Sequence, residues 1–155
     1  MLEILNQNKK VNIKNSDNKI VSIDTENKTV EIDDYFIDSP GEYEKSSILV
    51  EVMEYEQKLF YSLLIEWKVI VVIFEDTFET SEKILSFFWD VDILFIIGTK
   101  NASKIVENIE AKVVIPFWEW KDVFLTILWQ HKEELEIFKL KGDIWLENTE
   151  FINLK

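Results

Sequence analysis

The chain has 155 residues, of which 47% are hydrophobic and 30% charged, and a chain of this size and composition folds as a globular protein with a substantial core. Because 30 acidic residues outnumber 17 basic ones, the formal net charge is −13, which argues against nucleic acid or an anionic membrane as a partner. The absence of cysteine excludes disulfides and thiolate metal sites. No stretch reaches the roughly 18 to 20 apolar residues that cross a bilayer. With no signal-peptide pattern, we expect a soluble cytoplasmic protein.

The first 38 residues predict an antiparallel β-meander. Apolar and polar residues alternate in three short segments separated by Asn-Lys turns, a pattern typical of half-buried strands. The segments are Lys10–Lys14, Lys19–Asp24 and Lys28–Ile32. We interpret the whole chain, 1–155, as one domain made of this meander, 1–38, and a core of sheet and helices, 39–155.

The core region begins after Ser39-Pro40-Gly41 with three apolar strands, of which the last two are joined by a turn at Glu66 and Lys68. Helices and strands then alternate, which predicts an α/β layer with helices packed on a sheet. The predicted strands are Ile48–Tyr55, Leu59–Ile65, Val69–Phe74, Val91–Ile97 and Lys112–Ile115, the last one ended by Pro116. The predicted helices are Ser81–Phe88, Asn101–Ile109 with Asn101 as cap, and Asp122–Leu135. A closing hairpin is expected from Leu135–Leu140 and Asp143–Leu146 around Gly142.

The chain contains few residues of the types and in the patterns that catalysis requires. His131 is the only histidine, so a zinc site built on several imidazoles has no ligands, and we interpret His131 as an ordinary helix residue. Three glycines are too few for a phosphate-binding loop or a dinucleotide fingerprint. Among many carboxylates, Glu75-Asp76 stands out because it ends an apolar strand, where α/β sheets place functional groups. A structural role is nevertheless favoured for this pair.

Aromatic residues are abundant, with 6 Trp, 11 Phe and 4 Tyr. Most are expected in the core. The densest group lies in the last third of the chain and is a candidate interface, because exposed tryptophan with few positive charges suits protein binding. The interface candidates are Phe117, Trp118, Trp120, Phe124 and Trp129.

Five segments of the chain together form a recognisable series. They are Ser39-Pro40-Gly41-Glu42-Tyr43-Glu44, Ile48-Leu49-Val50, Ile73-Phe74-Glu75-Asp76, Val91–Ile96 and Ile109–Pro116. In this order they resemble the metallo-β-lactamase fold superfamily, and most closely the small bacterial branch of its zinc-dependent hydrolases. That branch typically has Gly-Pro-Gly-Glu-Tyr-Glu, a strand ending in His-Leu-Gly-Asp, a Val-Asp-Ile-Leu strand and a Pro-Lys-Ile-Val-Ile-Pro-Met-His strand. The resemblance covers about residues 30 to 117. It implies metallo-β-lactamase-like sheet-and-helix layers, shortened at the N-terminal half, and a zinc cofactor.

The family's metal ligands are missing from the matched positions. The histidine-rich loop that should precede the Pro-Gly-Glu-Tyr segment has no counterpart, since residues 1–38 contain no histidine. Ile73 and Trp118 stand where ligand histidines are expected, and only Asp76 matches a ligand. One carboxylate does not hold zinc. We therefore expect no cofactor and no catalytic residues, Asp76 being at most a vestigial ligand, and we expect Ile73 and Trp118 to fill the former site.

These observations predict a pseudoenzyme, a non-catalytic metallo-β-lactamase-like domain with a structural or protein-interaction role. A shortened sandwich would leave a sheet face or the tryptophan-rich edge uncovered, which predicts a protein partner or self-association. The alternative is a metal-dependent hydrolase with a carboxylate site around Asp76, assisted by Glu75 and by Glu42 or Asp92. A third possibility is an unrelated acidic α/β binding module.

Overall fold

The computed structural model describes residues 1–144 and 148–155. Its strands are β1 Leu2–Gln7, β2 Lys10–Lys14, β3 Ile20–Asp24, β4 Thr29–Ile32, β5 Tyr35–Ile37, β6 Gly41–Lys45, β7 Ile48–Tyr55, β8 Lys58–Ile65, β9 Lys68–Ile73, β10 Ile93–Ile97, β11 Val113–Phe117, β12 Glu134–Leu135, β13 Phe138–Leu140, β14 Glu150–Phe151 and β15 Asn153–Leu154. Its helices are α1 Glu82–Phe87, α2 Lys100–Glu107 and α3 Lys121–Ile127. Within the described residues, no helix has the length and apolar character needed to cross a membrane.

The predicted meander forms most of an antiparallel sheet with the strand order β13-β1-β2-β3-β4-β5. Its three predicted strands are confirmed as β2, β3 and β4, and β1 and β5 extend the sheet beyond them. Asn8 and Lys9 join β1 to β2 with φ values of 53° and 63°. A two-residue turn with both φ values positive matches the right-handed twist of the strands that it connects.

The second sheet is mixed and has the order β14-β11-β10-β9-β8-β7-β6. Strands β6 to β9 are antiparallel, whereas β9, β10, β11 and β14 are parallel, with Ile93 of β10 opposite Ile70 of β9 and Val113 of β11. The predicted strands β7, β8 and β9 are confirmed, as is the turn between β8 and β9, where Glu66 and Trp67 have positive φ values. The parallel strands alternate with helices as the sequence predicts.

The two sheets contribute to one continuous apolar core. Tyr61 of β8 links them, because its buried hydroxyl donates to the carbonyl of Ile37 at 3.2 Å and lies 3.3 Å from the carbonyl of Lys28. Strands β10 and β11 are buried at every position, as is typical of strands covered on both faces. These central strands therefore do not present the bare sheet face that we expected from a shortened sandwich.

Helix α2 begins one residue earlier than predicted, and its cap is Thr99, not Asn101. The Thr99 side chain accepts a hydrogen bond from the backbone N–H of Ala102 at 3.2 Å, which satisfies one of the free donors of the first turn. Asn101 lies inside the helix and is exposed. Both residues are of types that are favoured as caps, so the sequence alone does not distinguish them.

Helix α3 ends at Ile127, so the predicted extension to Leu135 is wrong. Trp129 adopts a φ of 58°, the N–H of Gln130 bonds to the carbonyl of Leu125 at 2.8 Å, and the N–H of Trp129 bonds to that of Thr126 at 3.0 Å. This is a Schellman closure, which glycine usually forms. Because tryptophan occupies the left-handed position here, the sequence contains no conventional stop signal.

Pro116 lies inside β11 and does not end it, contrary to the prediction. The carbonyl of Val114 points toward the β14 side of the strand, where it accepts from the N–H of Ile152 at 2.9 Å. Backbone groups of every second residue in a strand point to the same side, so the nitrogen of Pro116 also points toward the β14 side. The short β14 pairs only with Val113 and Val114. The missing N–H of proline therefore costs β11 no pairing with β10.

The C-terminal segment also pairs differently from the prediction. Residues Phe138–Leu140 form β13, which adds to the edge of the first sheet with Leu140 opposite Leu2. Glu134–Leu135 form β12, which pairs in parallel with β15. The second arm of the predicted hairpin, Asp143–Leu146, falls partly outside the described residues, at 145 and 146.

Candidate functional site

A cavity of about 550 Å³ opens where the carboxyl ends of β9, β10 and β11 face the turns of the first sheet. Phe74, Ile97 and Phe117 line it from the second sheet, whereas Lys9 and Lys28 line it from the first. In open α/β sheets, ligands bind outside the carboxyl ends of parallel strands. The cavity is thus at the position where the topology favours a functional site.

The floor of this cavity is apolar and the rim is charged. Phe74, Ile115 and Phe117 line the cavity and are almost completely buried in the core. The lysines of the rim take part in ion pairs: Lys28 with Glu75 at 2.7 Å and Lys121 with Glu134 at 3.4 Å. Glu75 therefore joins the two sheets.

Asp76, the one residue that matches a family ligand, takes part in the cap of α2. Its Oδ2 accepts a hydrogen bond of 2.7 Å from the Thr99 hydroxyl, and the same hydroxyl oxygen accepts from Ala102 N–H. The carboxylate thus orients the hydroxyl so that its lone pair faces the helix. Asp76 lies just after β9 and is half-buried, and its role in the described structure is to hold the start of α2.

Ile73 and Trp118 differ in what they do at the other matched positions. Ile73 is fully buried in the core. Trp118 is 53% exposed, has a φ of 87° and lines the cavity. Ile73 is thus packed in the core, as a residue that fills a former site would be, whereas Trp118 lies at the surface beside the cavity.

The carboxylates proposed for an alternative metal site do not meet. Glu42 lies on β6, three strands from β9, a separation of about 14 Å at the usual strand spacing. Asp92 precedes β10 at the opposite end of the sheet from Asp76, where it accepts from Lys112 at 2.8 Å and from Val69 N–H at 2.8 Å. Among residues 1–144 and 148–155, no three His, Cys, Asp or Glu side chains are grouped so as to hold a metal ion. The donor set in this part of the chain therefore does not fit zinc.

The five interface candidates divide into core and surface residues. Phe117 and Phe124 are buried, at 7% and 0% exposed, so they stabilise the fold. Trp118, Trp120 and Trp129 are exposed, and each is therefore accessible to a partner. His131 is exposed as well and follows α3 rather than lying in it.

Helix α3 carries an exposed apolar stripe that the sequence analysis missed. Trp120, Val123 and Ile127 are 58%, 47% and 38% exposed, and their spacing of three and four residues places them on one face of the helix. The helix packs into the core through Leu125, on the face opposite this stripe, and through Phe124, at the border of the stripe. We call Trp120, Val123 and Ile127 the α3 stripe. Its spacing was visible in the sequence, but the predicted helix was apolar on every side, and the pattern did not separate the two faces.

Comparisons with known proteins support the fold. No protein-family model matches the chain, and no curated protein matches it either. A solved structure described as a "putative zn-dependent hydrolase of the metallo-beta-lactamase superfamily" from Thermotoga maritima superposes with a TM-score of 0.73 at 14% sequence identity and covers 99% of each chain. The chain is therefore no shorter than this neighbour, and an unrelated α/β architecture is excluded. A likeness at this identity shows the fold alone: the chain has the metallo-β-lactamase fold.

Proposed function

We propose that this protein is a non-catalytic metallo-β-lactamase-like domain that binds another protein through the α3 stripe. The observation that carries the proposal is the exposure of Trp120, Val123 and Ile127 on one face of a helix whose other face is already buried. A helix that is apolar on both sides usually has a partner on each. The core covers one side of α3, and a protein partner or a second copy would cover the other.

The tryptophans near this stripe strengthen the proposal. Trp118 and Trp120 precede α3 and Trp129 follows it, and all three side chains are exposed. Tryptophan is enriched at the energetic centres of interfaces because it buries a large apolar area and keeps a donor for a hydrogen bond. With a net charge of −13, the protein would associate fastest with a basic surface.

The absence of catalysis is supported by what the candidate residues do. Asp76 caps α2 through Thr99, Glu75 pairs with Lys28, and Asp92 pairs with Lys112. A carboxylate already used in this way would have to give up a structural contact before it could bind a metal ion or move a proton. The hydrolase alternative therefore requires that at least one of these contacts breaks.

A matched pair of surface variants tests the binding surface. Val123→Glu with Ile127→Glu places charge on the α3 stripe, whereas Ile20→Glu makes the same change on β3, where Ile20 is 44% exposed and opposite Lys14. The mass of the wild type, measured by sedimentation over a range of concentrations, tests a second copy as partner. If the partner is a different protein, we expect wild type and Ile20→Glu to capture the same protein in a pull-down experiment, and we expect the α3 variant not to capture it. The proposal would be contradicted if the wild type is monomeric and captures the same proteins as the α3 variant.

Metal analysis tests the lack of catalysis. We expect substoichiometric metal in the purified protein and no heat on titration with zinc. One tightly bound divalent ion per chain, together with a hydrolytic activity that Asp76→Ala abolishes, would support the hydrolase instead.

A further inference from the structure

The cavity at the carboxyl ends of β9, β10 and β11 has no role in the function proposed above. Its volume of about 550 Å³ lies within the range of roughly 300–1,000 Å³ that small-molecule sites have. Buried apolar residues from three parts of the fold line it: Val11 of the first sheet, Phe74, Ile97 and Phe117 of the second sheet and its loops, and Leu154 of β15. The cavity therefore has an apolar floor, which favours a ligand with an apolar body.

The lysines of the lining are neutralised by carboxylates. Each of the three forms an ion pair: Lys9 with Glu26 at 3.4 Å, Lys28 with Glu75 at 2.7 Å and Lys121 with Glu134 at 3.4 Å. A charged ligand would have to compete with one of these pairs, and the transfer of its charge from water to an apolar surface costs free energy. An uncharged ligand avoids both costs.

Glu119 is the charged lining residue that is not neutralised in this way. It forms no ion pair within residues 1–144 and 148–155, so its carboxylate repels an anion that approaches the cavity. Glu119 is also exposed, and an ion pair at an exposed carboxylate contributes little because water and salt screen it. The lining therefore disfavours an anion and gives a cation only a small advantage.

Trp118 adds a large apolar surface that the core does not cover. Its side chain is 53% exposed and lines the cavity. Its φ is 87°, whereas the other non-glycine residues with positive φ in the described chain have values from 46° to 67°, close to the usual left-handed region. Bulky residues held outside the allowed regions cluster at ligand-binding positions. A ligand that contacts the indole would bury apolar area that the fold leaves exposed.

We propose that the cavity binds an uncharged, largely apolar small molecule. The ligand would lie on the apolar floor, which includes Phe74, Ile97 and Phe117, and would contact the indole of Trp118. The burial of apolar area supplies the affinity, and the paired charges of the rim select against charged head groups. This inference is independent of the α3 stripe.

Calorimetric titration with 2-naphthylmethanol, 2-naphthoate and 2-naphthylmethylammonium tests the proposal, because the three probes share one ring system and differ in head-group charge. We expect 2-naphthylmethanol to bind with one site per chain, and both charged probes to bind at least about fivefold more weakly. The neutral probe should also shift the indole N–H resonance of Trp118, identified by its loss in Trp118→Phe, and leave that of Trp89 unchanged. No binding of 2-naphthylmethanol at millimolar concentration, or a charged probe that binds as tightly, would overturn the proposal.

Variants locate the site. Trp118→Ala removes the exposed indole, and we expect it to weaken 2-naphthylmethanol binding by about tenfold, the effect of losing a buried apolar contact. Trp89→Ala is the matched control, because Trp89 is 80% exposed and does not line the cavity, and it should bind the probe like the wild type. Ile97→Phe should block binding by filling the cavity, and Trp118→Ala decides if Ile97→Phe does not fold.

The same titrations separate this site from the α3 stripe. The variant Val123→Glu with Ile127→Glu should bind 2-naphthylmethanol like the wild type, whether or not the α3 stripe has a partner. An affinity that is unchanged in Trp118→Ala, or that is lost in the α3 variant, would refute the cavity as the binding site.

Discussion

Thr99 donates a hydrogen bond of 2.7 Å to Asp76, across the carboxyl edge that separates β9 from β10. The oxygen of the same hydroxyl accepts from the N–H of Ala102 in the first turn of α2. Carboxylate, hydroxyl and helix end thus form one chain of hydrogen bonds. The only carboxylate at a matched metal-ligand position therefore acts as a structural group that positions a helix cap.

The Asp76–Thr99 contact predicts a coupled loss of stability. Asp76→Ala and Thr99→Ala should each lower the free energy of unfolding by about 1 kcal/mol, the usual value of a helix cap or hydrogen bond. The double variant should lose less than the sum, because both substitutions break the same chain of hydrogen bonds. Urea unfolding of the four proteins measures this. If the two losses of stability are strictly additive, Asp76 does not stabilise the protein through its contact with Thr99.

Gly98 predicts a second effect, which depends on close packing. A Cβ at Gly98 would lie 2.7 Å from the Cα of Lys121 and 2.9 Å from the carbonyl oxygen of Phe117, and both are backbone atoms that move only with their elements. Gly98→Ala should therefore cost roughly 1–3 kcal/mol, as overpacking does, and should move the start of α3. Thermal unfolding measures the cost. Gly142→Asn is the control, since it has open space around it and asparagine tolerates its φ of 72°; an equal loss in both variants would contradict the steric explanation.

Tyr61 predicts a loss of stability at alkaline pH. Burial, aided by the charge of Asp38, raises the pKa of Tyr61 to about 12, whereas in the unfolded chain tyrosine titrates near about 10. Because the folded-state pKa is the higher one, this stabilisation is complete below the unfolded pKa and is lost as the pH rises from about 10 through about 12.

Comparison with Tyr61→Phe isolates this contribution. The variant should be less stable than the wild type by about 1 kcal/mol at pH 7, because the carbonyl of Ile37 loses its donor. The stability difference should shrink as the pH rises above about 10. Urea midpoints at a series of pH values measure it, and a difference that stays constant up to pH 12 would show that the hydroxyl is not buried in solution.

Glu66 predicts a loss of stability at acidic pH. Burial raises the pKa of Glu66, but hydrogen bonds from the hydroxyl and N–H of Ser16 and from the ammonium of Met1 outweigh it, so the net pKa is lowered. A lowered folded-state pKa gives stability that is present above the ordinary value and lost as the pH falls through the folded-state pKa. Glu66→Gln should therefore be less stable than the wild type at pH 7 and lose less stability on acidification. Urea midpoints at pH 7 and pH 3 measure this, and Glu133→Gln in an exposed segment should behave like the wild type.

The strands were predictable wherever local pattern and local structure agree. Segments such as Lys10–Lys14 and Ile48–Tyr55 have the predicted bounds, because alternation and turn residues act within a few positions of each other. The resemblance to the metallo-β-lactamase fold rested on the order of such segments. Its confirmation at 14% identity shows how much of a fold is retained in the pattern of apolar residues.

The wrong predictions concern positions where residues that are distant in the sequence determine the local structure. Helix α3 stops at a tryptophan in the left-handed conformation, a position that sequence rules assign to glycine. Strand β13 pairs with β1, more than 130 residues earlier, so no local sequence pattern predicts this pairing. Thr99, not Asn101, is the cap of α2, and its hydroxyl also donates to Asp76, 23 residues earlier in the chain.

The sequence by itself determined the fold class, the low number of catalytic groups and the absence of histidine at the matched ligand positions, because these depend on residue identity and short-range order. Only the tertiary structure decided which groups meet. It brought Lys28, in the turn before β4, and Lys121, at the start of α3, to one cavity. It also separated Asp92 from Asp76 and divided α3 into buried and exposed residues. Such proximity arises from the packing of one sheet on the other, which buries apolar area contributed by the whole chain, and no segment of the sequence encodes it alone.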